Sequence, residues 1–163
     1  MKLNILSDLH VGFSALDTPL NDADVVVLAG DVGPPRQAAQ WAMRLRKPVI
    51  FVLGNHEFYG SSIDCAAAEL KRLCADTPIH VLDNDEVVID GVRFLGSTLW
   101  TDFMLFGSGA ERAAAIAEAQ RLMRDFSRIR IGEKTGVLFT PDDAAKLFAR
   151  NAKNASEKQL TNF

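Results

Sequence analysis

Histidine is scarce in these 163 residues, and so are cysteine and tyrosine: the chain has three His, two Cys and one Tyr. The histidines are His10, His56 and His80, so the half of the chain beyond residue 80 carries no imidazole at all. Cys65 and Cys74 are nine residues apart in an expected helix. That separation puts them on opposite faces after about two and a half turns. They are therefore not expected to bond to each other, Cys-x8-Cys is no zinc spacing, and both thiols read as reduced packing residues.

Positive charge is not in excess either, with a formal net charge of -3. General nucleic-acid binding and membrane-surface binding both need concentrated positive charge, so neither is expected, although a local anion site is compatible with this balance. No run approaches the ~20 apolar residues of a membrane helix, and no charged leader precedes an apolar core. The expected location is cytoplasmic. Neither Gly-x-Gly-x-x-Gly nor a phosphate-loop lysine motif occurs, which argues against metal-free nucleotide binding.

What the chain has is 48% hydrophobic residues, enough for one sizeable core. Val49 to Leu53 form five apolar residues in a row without alternation, as expected of a parallel strand covered on both faces, and Gly54 permits a sharp exit. The same grammar occurs twice earlier. Leu3 to Leu6 lead into Ser7-Asp8-Leu9-His10, and Val25 to Ala29 lead into Gly30-Asp31-Val32-Gly33.

Helices are expected between these strands and after them. Pro34-Pro35 can open one that continues through Ala38, Trp41, Ala42 and Leu45 up to Pro48. Ser61 or Ser62 caps a second, whose Cys65, Ala66, Leu70 and Leu73 are spaced to bury one face before Pro78. Short strands follow at Ile79 to Leu82, Glu86 to Ile89 and Val92 to Ser97, the last two joined by the hairpin signal Asp90-Gly91. An alanine-rich amphipathic helix is expected from Gly109 to Arg124, with Ile116, Ala119, Leu122 and Met123 on its apolar side, and after the loop from Gly132 to Gly136, Pro141 opens a last helix. No linker or repeat divides residues 1–163, so a single α/β domain is expected, its parallel or mixed sheet flanked by helices.

Asp8 and His10 are two apart, so an extended backbone aims both the same way, and 23 and 24 residues then separate Asp8, Asp31 and Asn55. Each interval holds one crossover between parallel strands. Carboxylates, an amide oxygen and an imidazole suit manganese, iron or zinc better than copper(I). Two carboxylates do not neutralise two divalent ions. The surplus charge would attract phosphate, and a water shared by metals roughly 3.5–4 Å apart becomes acidic enough to be a nucleophile near neutral pH. His56, beside Asn55, is placed to donate a hydrogen bond to the phosphate or leaving oxygen.

Singly, each residue has a plainer explanation: a helix cap after a strand, a common Gly-Asp pair, a solvated loop histidine. Their occurrence at the ends of three successive apolar strands does not. Asp8-Leu9-His10, Gly30-Asp31-Val32 and Gly54-Asn55-His56-Glu57 resemble the first three motifs of the calcineurin-like metallophosphoesterase family. Leu95-Gly-Ser-Thr-Leu-Trp-Thr-Asp-Phe103 resembles a stretch in a bacterial branch, where a strand precedes a variable helical insertion. The resemblance implies the amino-terminal half of a four-layer α/β-β/α sandwich, two divalent ions, and hydrolysis of small phosphomonoesters or phosphodiesters by metal-activated hydroxide. It further implies that Asp8 and His10 bind the first metal, Asp31 bridges both, Asn55 binds the second, and His56 faces the phosphate, with Asp31 and His56 as the catalytic pair.

The family also carries a strand-end histidine and a Gly-His-x-His motif in its carboxy-terminal half, and nothing after His80 replaces them. The chain therefore reads as an amino-terminal portion with incomplete metal occupancy. The competing expectation is a non-catalytic fragment serving as a metal-binding or assembly module. A portion lacking its other half would expose an apolar sheet face, so a homo-oligomer is expected, with exchange of the helix after Pro141 as one route.

Other polar residues keep two readings each. Glu57 either orients His56 or a metal-bound water, or merely opens a helix. Arg36 either meets a phosphate or is solvated. Tyr59, Trp100 and Phe103 either line a substrate cleft or belong to the core. His80, between Ile79 and Val81, reads as structural.

Overall fold

The computed structural model describes residues 1–12, 16–19, 22–105, 107–132 and 136–160, without the side chains of 159 and 160. Parts of the expected loops through Gly12 and Pro19 and from Gly132 to Gly136 lie outside these residues. Strands β1 (Leu3–Leu6), β2 (Val25–Ala29), β3 (Val49–Val52) and β4 (Ile79–Leu82) form a sheet in the order β1-β2-β3-β4. All three pairings are parallel. Register aligns Leu6 with Leu28, and Ala29 with Val52, so the loops carrying the motif residues leave the sheet side by side.

Helices α1 (Pro35–Met43) and α2 (Ile63–Leu73) cover one face. Strand residues alternate between faces, and Val26, Leu28, Val49, Phe51 and Ile79 meet the helices in a core that contains Trp41, Ala66 and Leu70. Pro35 sits in the first turn of α1, where its missing N–H costs nothing. Ser62 is the cap of α2, its side chain accepting from the Cys65 N–H at 3.2 Å. Cys65 itself is exposed, contrary to its expected place on the buried face, which falls to Ala66, Ala67 and Leu70. Cys74, just past the helix, is buried, and burial pushes its thiol up to about 11.

Val25, Ile50 and Leu82 face the opposite side, where they meet Val87, Ile89 and Phe94 of the antiparallel hairpin β5 (Asp85–Ile89) and β6 (Val92–Gly96). Asp90 and Gly91 both have positive φ, 47° and 78°, as a type I′ turn requires. Strand β3 is thus covered on both faces, as its unbroken apolar run implies. Edge strand β1 is not: Leu3 and Ile5 are 45% and 65% exposed.

Helix α3 (Ala110–Leu122) forms where expected but buries no residue. Ile116 and Ala119 are half-buried, while Leu122 and Met123 are exposed, so the expected apolar stripe is a weak contact and not a core face. The short helix α4 (Asp125–Arg128) and the two-residue strands β7 (Arg130–Ile131) and β8 (Val137–Leu138) follow, and none of them was expected. Phe126, Ile129 and Phe139 anchor this segment in the main core. Helix α5 (Pro141–Leu160) opens with a capping box: the Thr140 hydroxyl accepts from the Asp143 N–H at 3.2 Å, and the Asp143 carboxylate accepts from the Thr140 N–H at 3.1 Å. It packs back on its own chain, Asn151 donating to the Thr98 carbonyl at 3.0 Å and Lys158 to the Asn84 carbonyl at 2.6 Å. Among the described residues no helix is long and apolar enough to cross a membrane.

Candidate metal centre

The loops after β1 and β2 are held in unusual backbone conformations. Asp8, His10 and Asp31 have φ of 55°, 46° and 56°, in the left-handed region that non-glycine residues enter at a cost. Hydrogen bonds beyond the strand ends enforce them. Asp8, His10 and Val11 donate backbone N–H groups to the carbonyls of Gly30, Asp31 and Val32 at 3.1, 3.0 and 2.8 Å. The first two loops therefore continue the parallel pairing past the sheet.

Glu57 ties the second loop to the third. Its side chain is fully buried and accepts from the backbone N–H groups of Asp31 (3.0 Å), Gly33 (2.9 Å) and Gly54 (2.6 Å). Burial pushes its carboxyl above the ordinary range, against the pull of those three donors. Glu57 does lie in the first turn of a short 3-10 helix (His56–Phe58), as one expectation had it, but neither expectation includes its main contacts, which hold the backbone of two loops in place.

Gly54 supplies the space in between. A Cβ there would collide with the Asp31 carboxylate oxygen and lie 2.6 Å from the Asp31 nitrogen. With that room, Asp31 Oδ1 accepts the His56 backbone N–H at 3.0 Å, fixing the carboxylate and leaving Oδ2 for another partner.

The result is a group of ligand atoms from His10, Asp31 and His56 that all lie within 4.8 Å of one another. Ligands of one cation bonded at ~2.0–2.2 Å stand at most ~4.4 Å apart, so side-chain shifts of a few tenths of an ångström (~0.4 Å) bring the grouping within reach of one cation, and its nitrogen and oxygen donors suit a borderline divalent ion. Among the described residues it is the one grouping of three His, Cys, Asp or Glu with such spacing. The ring centroids of His10 and His56 are 4.6 Å apart, and Tyr59 stacks on the other imidazole neighbour, His56, at 4.4 Å and 21°.

Asp8 falls outside that grouping of His, Cys, Asp and Glu; it and Asn55 line the adjoining cleft of about 570 Å³ together with Asp31, Trp100, Met123 and Asp125. Trp100 both lines this cleft and packs on Phe139 at 4.6 Å, so its two expected roles coexist. Phe103 belongs to the core margin, and Arg36 is exposed and apart from the cleft. His80 sits in β4, opposite Ile50 and away from the grouping.

Asp125 is the site residue that sequence reasoning missed. It is 4% exposed, and its Oδ1 accepts from Asn55 Nδ2 at 2.6 Å and from the Tyr59 hydroxyl at 2.8 Å. Burial and the hydrogen bond to Asp125 push the Tyr59 phenol up to about 12.

A parallel sheet whose consecutive strand-end loops converge on imidazole and carboxylate is the architecture of a metal-dependent α/β enzyme class. The calcineurin-like phosphoesterase family model matches residues 1–128, and the chain belongs to that family. It is also 32% identical over 124 residues to the uncharacterized protein L509 of Acanthamoeba polyphaga mimivirus, a match covering 61% of this chain and 44% of the relative. The chain thus spans less than half the length of that relative.

Proposed function

We propose that the chain takes part in metal-dependent hydrolysis of phosphoester bonds in small phosphomonoesters or phosphodiesters. The observation that carries this reading is the convergence of His10, Asp31 and His56 within 4.8 Å at three adjacent strand ends. Asp8, His10, Asp31 and Asn55 would hold divalent cations, manganese, iron or zinc, with Asp31 common to both positions. A bound cation there supplies Lewis acidity and lowers the pKa of water toward neutrality. His56 faces the phosphate and donates a hydrogen bond to it or to the leaving oxygen. Tyr59, stacked on His56, fixes the plane of its ring.

A second reading is favoured by the same distances: His56 is itself a ligand, and the chain is a one-metal binding module without turnover. Manganese titration combined with chromogenic phosphodiester and phosphomonoester assays separates the two. We expect about one weakly held cation and slow, chelator-sensitive hydrolysis. Stoichiometric manganese with hydrolysis no faster than in protein-free buffer sinks the catalytic reading in favour of the binding module.

We also infer that the chain self-associates. Leu3 and Ile5 support this: they lie on β1, which pairs only with β2 among the described residues, and apolar residues on an unpaired edge recruit other strands.

A further inference from the structure

The geometry points to Asp125 as a positioning residue for the metal centre, acting through the side chains of Asn55 and Tyr59. The inference rests on the metal-dependent reading above. Asp125 lies 70 residues beyond Asn55, on α4, yet its Oδ1 takes both the Asn55 amide at 2.6 Å and the Tyr59 hydroxyl at 2.8 Å. Asp125 Oδ1 accepts from the amide nitrogen of Asn55, so this bond selects one of the two orientations of the amide. The amide oxygen is then the branch left free of Asp125, and Asn55 lines the cleft with Asp8 and Asp31. Without Asp125 either orientation of the amide is open, and half of them offer a metal an NH2 group that cannot ligate it.

The second arm runs through Tyr59. Its hydroxyl is pinned by Asp125 while its ring stacks on His56, so one carboxylate fixes the ligand amide and the face of the neighbouring imidazole. Asp125 is itself well held. Phe126 and Ile129, which follow it, are buried, the Gly60 N–H donates to the Arg128 carbonyl at 3.1 Å, and the Arg130 N–H donates to the Ser61 carbonyl at 3.0 Å. These bonds lock α4 against the loop that follows His56. A carboxylate buried at the wall of a polar cleft is costly unless its hydrogen bonds are satisfied, and here both donors come from the site itself.

The test uses the whole chain and Mn2+ as the probe. Asp125→Ala, Asp125→Asn, Asn55→Ala and the double variant are titrated with Mn2+. The Asn55 side-chain amide signals, assigned by their loss in Asn55→Ala, are followed by NMR without metal. Asp125→Ala is expected to weaken Mn2+ binding about 10–100-fold and to return the Asn55 amide signals to those of a solvated amide. Asp125→Asn keeps an oxygen that can accept from both donors and should stay close to the unsubstituted chain. Adding Asp125→Ala to Asn55→Ala should cost little more, since the effect runs through Asn55. Unchanged amide signals, unchanged affinity in folded Asp125→Ala, or fully additive losses would overturn the proposal; Asp125→Ser replaces Asp125→Ala if the latter does not fold. An unsubstituted chain that binds no Mn2+ overturns the metal-dependent reading instead, and is recognised because the amide signals answer to Asp125 without metal.

Discussion

Glu57 reaches 24 residues back along the chain to accept the Gly33 N–H at 2.9 Å, and it does so from a fully buried position. With its bonds to Asp31 and Gly54, this side chain joins the loops after β2 and β3, the two that carry Asp31 and His56. The candidate metal centre therefore depends on a carboxylate outside the ligand grouping.

Glu57→Gln should destabilise the fold by about 1–3 kcal/mol, because an amide nitrogen replaces one of two accepting oxygens and leaves a backbone N–H without a partner. The pH dependence has a definite sign. Glu57's folded pKa is raised above its ordinary value, so the folded chain binds more protons in the window above about 4.5. The stability this group contributes is present below that window and is lost as pH rises through it. Urea midpoints across mildly acidic pH should fall less steeply in Glu57→Gln than in the unsubstituted chain; parallel curves would reject this account.

Gly54→Ala places a methyl against the Asp31 carboxylate and backbone nitrogen. The loop has to move, at a cost of about 1–3 kcal/mol typical of overpacking. Metal affinity should fall with it, since Asp31 is displaced. A Gly54→Ala chain with the unsubstituted melting temperature and manganese affinity would show that this contact is not limiting.

Much of this organisation is legible in the residues, and the parts that are not share a cause. Largely apolar runs ending in Asp-x-His, Gly-Asp and Gly-Asn-His mark the parallel strands and their loops, and Asp90-Gly91 marks the hairpin, because local sterics decide both. Asp125 is invisible by the same logic: its partners lie 66 and 70 residues away, and a lone Asp before a Phe has no local signature. Glu57 is hidden differently, since its partners are backbone N–H groups that any residue offers. Helix α3 shows the limit of periodicity, for its alanines form a helix by propensity and its spacing does not reveal that none of its residues is fully buried.

Asp31→Ala should remove more metal than His56→Ala. The Asp31 carboxylate has one oxygen committed to the His56 N–H and the other open to a cation, whereas His56, edge-on to His10 and stacked on Tyr59, is proposed to act at the phosphate. His56→Ala should lower turnover more than it lowers manganese content. Elemental analysis of folded protein decides the point, and equal metal loss in the two variants would make His56 a ligand.

The last expectation concerns self-association. Strand β1 is paired only to β2 among the described residues, and Leu3 and Ile5 point away from α1 and α2, where the hairpin that meets Val25 and Ile50 leaves them exposed. Helix α5 does not close this surface. Its contacts through Asn151 and Lys158 are to Thr98 and Asn84 of its own chain, so helix exchange would break bonds that are already made, and the open edge of β1 is the better route. A second copy pairing along β1 would bury Leu3 and Ile5 and satisfy the edge N–H and carbonyl groups together. Light scattering across a concentration series should give a dimer mass that falls to the monomer on dilution, and Ile5→Glu should stay monomeric throughout while keeping its helical and strand content. A monomer mass for the unsubstituted chain at every concentration would rule the dimer out.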